Sequence, residues 1–250
     1  MPRYLLRLAY NGARYHGWQV QPHSTSVQQT LQETLSLILG QPIEVVGCGR
    51  TDTGVHASDY VAHVDVTGAL PQNLLRRLNR MLPPDIVVRQ FVEAGMSNRH
   101  AGQLQHARFD ATHRAYRYDI VREKDPFRQD SSWHYHAFAQ LDEAAMQACA
   151  KTLLAYTEFA PFCKTNHDAK TLRCDLRRSE WSFSDSEMSY HIAADRFLRG
   201  MVRLIVGACV QVGLGKLSLK QVAHALDTQT PLPKPLSVPP TGLFLTEVRY

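Results

Sequence analysis

The segment Gly49-Arg50-Thr51-Asp52-Thr53-Gly54-Val55-His56 concentrates groups able to do chemistry. Its carboxylate, Asp52, stands between two glycines, which let the backbone turn tightly and let another molecule approach closely. An aspartate in such a loop is often only a turn residue that accepts its own backbone N–H bonds. Here the neighbours argue for more. Arg50 before it and His56-Ala57-Ser58 after it make a charge-balanced polar loop that a turn alone does not require. A carboxylate beside a guanidinium stays ionised at neutral pH, which suits a nucleophile better than a general acid.

Two further stretches carry candidate groups. In His113-Arg114-Ala115-Tyr116-Arg117-Tyr118, strand geometry puts Tyr116 and Tyr118 on one face and Arg114 and Arg117 on opposite faces. Two core tyrosines with arginines at the edge fit that pattern. So does an aromatic platform for a nucleobase with guanidinium groups for phosphates. The stretch from Phe197 to Gly207 reads as a mostly apolar helix interrupted by Arg199 and Arg203, four apart and on one face. An unpaired buried charge is costly, so such an arginine needs a partner, and a carboxylate in a cleft is the natural one. His134-Tyr135-His136 puts two imidazoles on one strand face without a third ligand at metal-binding spacing, as surface histidines would be. There is no phosphate loop, Gly-x-Gly-x-x-Gly or serine nucleophile elbow, and a cofactor-free reaction fits these residues best.

The elements that must position these groups follow from periodicity. Residues 3–10 alternate as a strand, with Tyr4, Leu6, Leu8 and Tyr10 on one face. A helix follows, with an apolar stripe of Val27, Leu31, Leu35, Ile38 and Leu39. Ser26 is its N-cap, and Gly40 stands where a positive φ is wanted. Strands at 43–48 and 60–66 flank the Asp52 loop. A helix at 71–81 has proline in its first turn, and a strand at 86–92 closes the unit. From residue 106 the order recurs: strand 114–121, helix 141–154, strands 172–183 and 188–194, helix 198–212 and strand 243–250, with one extra helix at 218–226. A repeated β-α-β-β-α-β order predicts an α+β fold of two ferredoxin-like halves, 1–105 and 106–250, with adjoining antiparallel sheets and a central cleft. Residues 94–105 lack periodicity and are expected to form a mobile joining loop. The Pro-rich 230–240 stretch is expected to be an ordered surface loop.

With 250 residues and 44% hydrophobic content, the chain can bury a sizeable core. No apolar run reaches the roughly 18 residues of a membrane span. The first residues lack a signal peptide's apolar stretch, so a cytoplasmic protein is expected. Five scattered cysteines without a Cys-x-x-Cys pair read as reduced, mostly buried thiols. A net charge of +5 and a pI near 9.0 favour a polyanionic partner. Arginines cluster at 76, 77 and 80 on one helix and at 173, 177 and 178 on one strand, and Arg122, Lys124 and Arg128 follow another strand. Any one cluster reads as solvated surface. Three of them, with aromatic side chains between, point to a phosphate backbone.

These motifs together resemble the tRNA pseudouridine synthase A family over nearly the whole chain. The resemblance rests on Tyr10-Asn11-Gly12, Tyr15-His16-Gly17-Trp18-Gln19, Gly49 to Ala57, His106-Ala107-Arg108-Phe109, Tyr116-Arg117-Tyr118, Met201-Val202-Arg203 and Gly242-Leu243-Phe244-Leu245, in that order. It implies the pseudouridine synthase fold and a cofactor-free, metal-free homodimer that isomerises uridine to pseudouridine in the tRNA anticodon stem-loop, at positions 38, 39 and 40. It also implies that Asp52 is the nucleophile and that Tyr116 stacks on the target uracil. Arg50 would take part in extruding the nucleotide, and Arg203 would pair with the catalytic carboxylate. Attack at ribose C1′ and at uracil C6 are both compatible with this reading, and Tyr116 is one candidate for the base that takes the C5 proton. The chain departs from the family pattern at Gly200, where a larger polar residue is expected, at Gln105 in place of phenylalanine, at Lys170-Thr171 in place of Arg-Thr, and in a longer 94–105 stretch.

The alternative from another class is a non-catalytic RNA-binding protein, since ferredoxin-like sheets with exposed aromatics bind single strands without chemistry. Such a protein would keep the arginines and tyrosines but would not need Asp52. A metal-dependent hydrolase would require clustered His and Asp ligands that the sequence does not offer.

Overall fold

The structure, a computed structural model, describes residues 1–164, 171–233 and 235–250. It comprises two compact units, one of Met1–Thr112 with Phe244–Tyr250 and one of His113–Leu243.

In the first unit, β1 (Arg3–Tyr10) alternates as its pattern requires: Leu6, Leu8 and Tyr10 are buried while Arg7 faces solvent. Ser26 caps α1 (Val27–Leu39) by accepting the Gln29 N–H, and Gly40 ends it at φ 65°. Its stripe of Val27, Leu31, Leu35 and Ile38 is buried, each of the two leucines contributing about 1.5–3 kcal/mol. The next strand, β2 (Val45–Gly47), is shorter than its apolar run suggested. By contrast β3 (His56–Asp65) begins four residues ahead of position 60. Pairing with β1 sets that start, because Ala57 lies opposite Tyr10. An extra β3 residue between these pairs makes a bulge beside the Asp52 loop. Helix α2 (Leu74–Met81) begins after the proline expected in its first turn. Pro71 instead closes a preceding turn by accepting the Leu74 N–H, and Asn73 stands at the N-cap. The sheet of this unit runs β4 (Ile86–Glu93), β1, β3. The outer edge of β3 is shared: β2 pairs antiparallel with Ala62–Val64, and the chain's last strand pairs parallel with His56 and Ala57 through Phe244 and Leu245.

The 94–105 stretch is tied down rather than open. Met96 and Leu104 form a bridge, Gln105 N–H bonds the Gly95 carbonyl, and Ser97 and His100 both bond the Asp110 carboxylate. These are contacts between residues without periodicity, which a pattern reading does not register.

The second unit is built on β5 (His113–Val121), with the two-residue β6 (Trp133–His134) parallel to its end. A strand was expected at His134-Tyr135-His136, and β6 overlaps it only at His134, beginning one residue earlier. Asp142 caps α3 (Glu143–Thr152), which starts two residues later than expected. The antiparallel sheet continues β5, β8 (Glu187–Ala194), β7 (Leu176–Phe183). Arg173, expected on a strand with Arg177 and Arg178, precedes β7. Two helices, α4 (Met201–Gly213) and α5 (Leu219–Thr228), complete the layer before β9 (Leu243–Arg249). The α4 helix starts at 201 and not at 198 because Gly200, at φ 71°, holds the left-handed conformation at its N-cap. The Pro-rich loop, apart from Lys234, which lies outside the described residues, lies against this helix. Leu232 and Val238 are buried, and the Leu236 carbonyl sits so close to Gly207 that a Cβ there would meet it at 1.8 Å. Lys170 also lies outside the described residues. Among those described, no helix is long and apolar enough to cross a membrane. Cys48, Cys149, Cys174 and Cys209 are buried free thiols and Cys163 is half-buried.

Candidate active site

The Asp52 loop is held from beneath by side chains and from one side by a second backbone. Beneath it, Trp18 stacks on Tyr60 at 4.1 Å, and Tyr10 meets Tyr60 edge-on at 5.6 Å. The Tyr60 hydroxyl donates to the Gly49 carbonyl, and the Tyr10 and Thr51 hydroxyls share a 2.8 Å bond. Buried aromatics with satisfied hydroxyls thus fix the backbone on the N-terminal side of Asp52. On its C-terminal side the chain turns at once. Val55 N–H bonds the Asp52 carbonyl at 3.1 Å, with Gly54 at φ 76° in the position where such a turn favours glycine.

The second backbone is the segment from Gly12 to Trp18. Trp18 N–H bonds the Thr51 carbonyl at 3.2 Å and Gly54 N–H bonds the Tyr15 carbonyl at 3.2 Å. The two chains meet so closely that a Cβ on Gly12 would lie 1.9 Å from the Val55 carbonyl oxygen, and one on Gly17 2.4 Å from that of Thr51. His56 belongs to this scaffold. It is buried, its Nδ1 accepts the Gly12 N–H at 3.1 Å, and its ring stacks on Phe244 at 4.6 Å. A further clamp is Asp85, which accepts the Tyr15 hydroxyl at 2.7 Å and the Arg14 guanidinium, and whose carbonyl accepts the Asn11 N–H. Burial, reinforced by the Asp85 carboxylate, pushes the Tyr15 hydroxyl above its ordinary pKa, so it stays a donor. Asp52 itself is half-buried and Arg50 exposed on the same loop.

In the second unit, Tyr116 on β5 is half-buried and meets Phe197 edge-on at 5.1 Å. Tyr118 is part of the core: it is fully buried and its hydroxyl donates to the Pro239 carbonyl at 2.8 Å. The shared strand face therefore divides, with Tyr118 taking the packing role. Arg114 donates to the Asp195 carbonyl at 2.7 Å, and Arg117 pairs with Asp119 at 2.9 Å. Arg203 is half-buried in α4, whose other residues from Met201 to Val210 are buried, and its Nε donates to the Val238 carbonyl at 2.7 Å. Arg199 does not share its helix face. It precedes α4 and is exposed, because the left-handed Gly200 breaks the helical phase between them. His134 and His136 are exposed, and among the described residues no three His, Cys, Asp or Glu side chains converge as metal ligands.

Comparison with known proteins bears on this arrangement. A family model described as tRNA pseudouridine synthase matches residues 150–250. The tRNA pseudouridine synthase A of Bacteroides thetaiotaomicron is 41% identical over all of this chain and 91% of its own length. That of Porphyromonas gingivalis is 40% identical over all of this chain and 98% of its own. A more distant relative of the same name, from a Nostoc species, is 36% identical over 99% of this chain. The chain belongs to the tRNA pseudouridine synthase A family.

Within this family reading, Asp52 and Arg50 share one loop of the first unit, while Tyr116 and Arg203 lie on β5 and α4 of the second. The sequence reading missed Gly12, Gly17 and the Asp85 clamp. The glycines stood in quoted motifs without an assigned role, and Asp85 follows Pro83-Pro84, a signal of a turn but not of a partner seventy residues away. At Gly200 a Cβ would meet the Lys164 side chain at 2.9 Å, so its departure from the family pattern coincides with a lysine stem over the helix start.

Proposed function

We propose that this chain isomerises uridines of the tRNA anticodon stem-loop, at positions 38, 39 and 40, to pseudouridine, with Asp52 as nucleophile. Family membership makes the protein an isomerase acting on uridine in tRNA. The observation that carries the assignment to Asp52 is the clamping of its backbone on both sides, by Tyr60, Tyr10, Gly17 and Tyr15, around a half-buried carboxylate. A catalytic group must be held in place before substrate arrives, and a mere turn does not need such support.

In this mechanism the target uridine leaves the stack, at a cost of a few kcal/mol, and rests against Tyr116. Asp52 attacks, the C1′–N1 bond breaks, the uracil rotates, a C1′–C5 bond forms, and the bond to Asp52 breaks so that its carboxylate is released. The proton on C5 leaves and N1 gains one, so no atom is lost and no redox partner is needed. Arg50, exposed on the loop, is assigned to nucleotide extrusion, and Arg203 to balancing the charge of the carboxylate. The reading takes the active species to be a cytoplasmic homodimer that needs neither metal nor cofactor. It treats residues 1–105 and 106–250 as ferredoxin-like halves. The first unit's strand succession β4, β1, β3, β2 supports that view.

The test is tritium release from unmodified tRNA labelled at uridine C5, without added metal, comparing the native chain with Asp52→Asn. The native chain should release tritium and the variant none, while both bind tRNA. No release from the native chain, or equal release from both, would return the reading to a non-catalytic RNA-binding protein.

A further inference from the structure

The solvent face of α2 carries Arg76, Arg77 and Arg80, all exposed, opposite the buried Leu74 and Leu78. The other arginines of the first unit are mostly engaged. Arg3 pairs with Asp65, Arg7 with Asp59 and Arg14 with Asp85, while Arg89 donates to the Ser58 carbonyl and Arg99 to that of Phe109. The three α2 arginines meet no acceptor among the described residues, and the helix carries no acidic residue. Three unneutralised guanidinium groups within five residues repel one another and leave a concentrated positive field that a polyanion would relieve.

The topology leads this face to the Asp52 loop. α2 runs back along the sheet after β3, and Asn79 pins its last turn to β4 by two bonds with Val88, at 2.7 and 2.8 Å. The chain then passes through Pro83-Pro84 to Asp85, which holds Arg14 and Tyr15, and Tyr15 in turn holds Gly54 of the loop. β4 starts opposite Tyr10, and Tyr10 faces Ala57, just past the loop. The C-terminal end of α2 therefore lies at the same sheet end as Asp52.

From this placement we propose that Arg76, Arg77 and Arg80 form a docking surface for the sugar-phosphate backbone of the substrate RNA flanking the target nucleotide. The occupant rests on the RNA substrate proposed above. Guanidinium groups suit it because they bond phosphate oxygens in pairs and remain charged at any physiological pH. Backbone contacts fix register without reading sequence, so this surface sets how tightly the RNA is held.

Binding of an unmodified tRNA transcript is measured across a salt series for the native chain and for the full-length Arg76→Gln/Arg77→Gln/Arg80→Gln variant. A charge-matched control, Lys151→Gln/Lys216→Gln/Lys220→Gln, removes three cations from the second unit. Circular dichroism confirms that each is folded. The arginine variant should bind on the order of tenfold or more weakly near 0.1 M salt, and its log–log salt slope should be shallower by about 2 to 3. Its KM in tritium release should rise in parallel, and the control should keep the native slope. An unchanged slope in the arginine variant, or an equal loss in the control, overturns the proposal. A native chain that binds tRNA but releases no tritium refutes the catalytic reading and leaves the binding comparison intact.

Discussion

Gly17→Ala should damage the rate far more than the fold. Gly17 sits at φ 85°, and an alanine there takes on about 1–2 kcal/mol of left-handed strain. Its Cβ would stand 2.4 Å from the Thr51 carbonyl, so the two backbones must part by roughly 0.6–1.0 Å to restore ordinary contact. That movement removes the Trp18 N–H bond to the same carbonyl, worth about 1 kcal/mol. The sum is a destabilisation of about 2–3 kcal/mol, which a domain with about 5–15 kcal/mol survives. Thr51 immediately precedes Asp52, so the proposed nucleophile is displaced by a similar distance, and misplacement of a catalytic group near 1 Å costs about a hundredfold in rate. Urea unfolding gives the first quantity, and single-turnover tritium release from saturating tRNA gives the second. Gly40→Ala provides the comparison. Gly40 is also left-handed, at φ 65°, but nothing lies within 4 Å of its Cβ position, so it should lose about 1 kcal/mol and no rate. A native rate in Gly17→Ala, or an equal rate loss in Gly40→Ala, would refute the idea that this contact positions Asp52.

Two further predictions concern stability. His63 is buried with its Nδ1 accepting the Ala107 N–H, and burial, followed by Arg3 and His106, lowers its pKa to about 4. Below pH 6.5 the unfolded chain takes up a proton that the folded chain refuses. Stability should therefore fall from pH 6.5 down to 4, with about 2 kcal/mol already lost at pH 5. Urea unfolding of His63→Gln should show a flatter profile, and an equally steep one would assign the effect elsewhere. Asp110 titrates lower. Burial would raise its carboxyl, but bonds from the His106 backbone, Ser97 and His100 hold it at about 2, so its contribution fades only below pH 3.8. Tyr118→Phe leaves the Pro239 carbonyl without its donor and should cost about 1–2 kcal/mol in the same assay. A variant as stable as the native chain would mean that water replaces the hydroxyl.

The elements were legible where their signals are local. The α1 helix appeared with its cap, stripe and terminal glycine because all three act within a few residues. Strand limits were misread wherever partners decide them. β3 begins at His56 because β1 and the last strand pair with it there, and α4 begins at 201 because Gly200 adopts a conformation that an apolar pattern cannot reveal. The final strand counts with the first unit from Phe244 onward, through a pairing between residues nearly 190 positions apart.

The same distinction governs the site. Asp52 stood out because its neighbours in sequence are themselves polar and charged. Its supports are mostly contacts between residues some 30 to 70 positions apart, and those supports are mostly backbone or packed rings, which announce no chemistry. Gly12 and Gly17 make the point in its strongest form. Each contributes by having no side chain, so its role exists only as a space into which another backbone fits. A glycine inside a motif that also holds Tyr15 and Trp18 is easily passed over for the residues with functional groups. Yet replacing the hydrogen of Gly17 by a methyl group would displace Asp52, whereas removing the Tyr15 hydroxyl would loosen only a bond to Asp85. The placement of Asp52 thus depends on steric room as much as on hydrogen bonds.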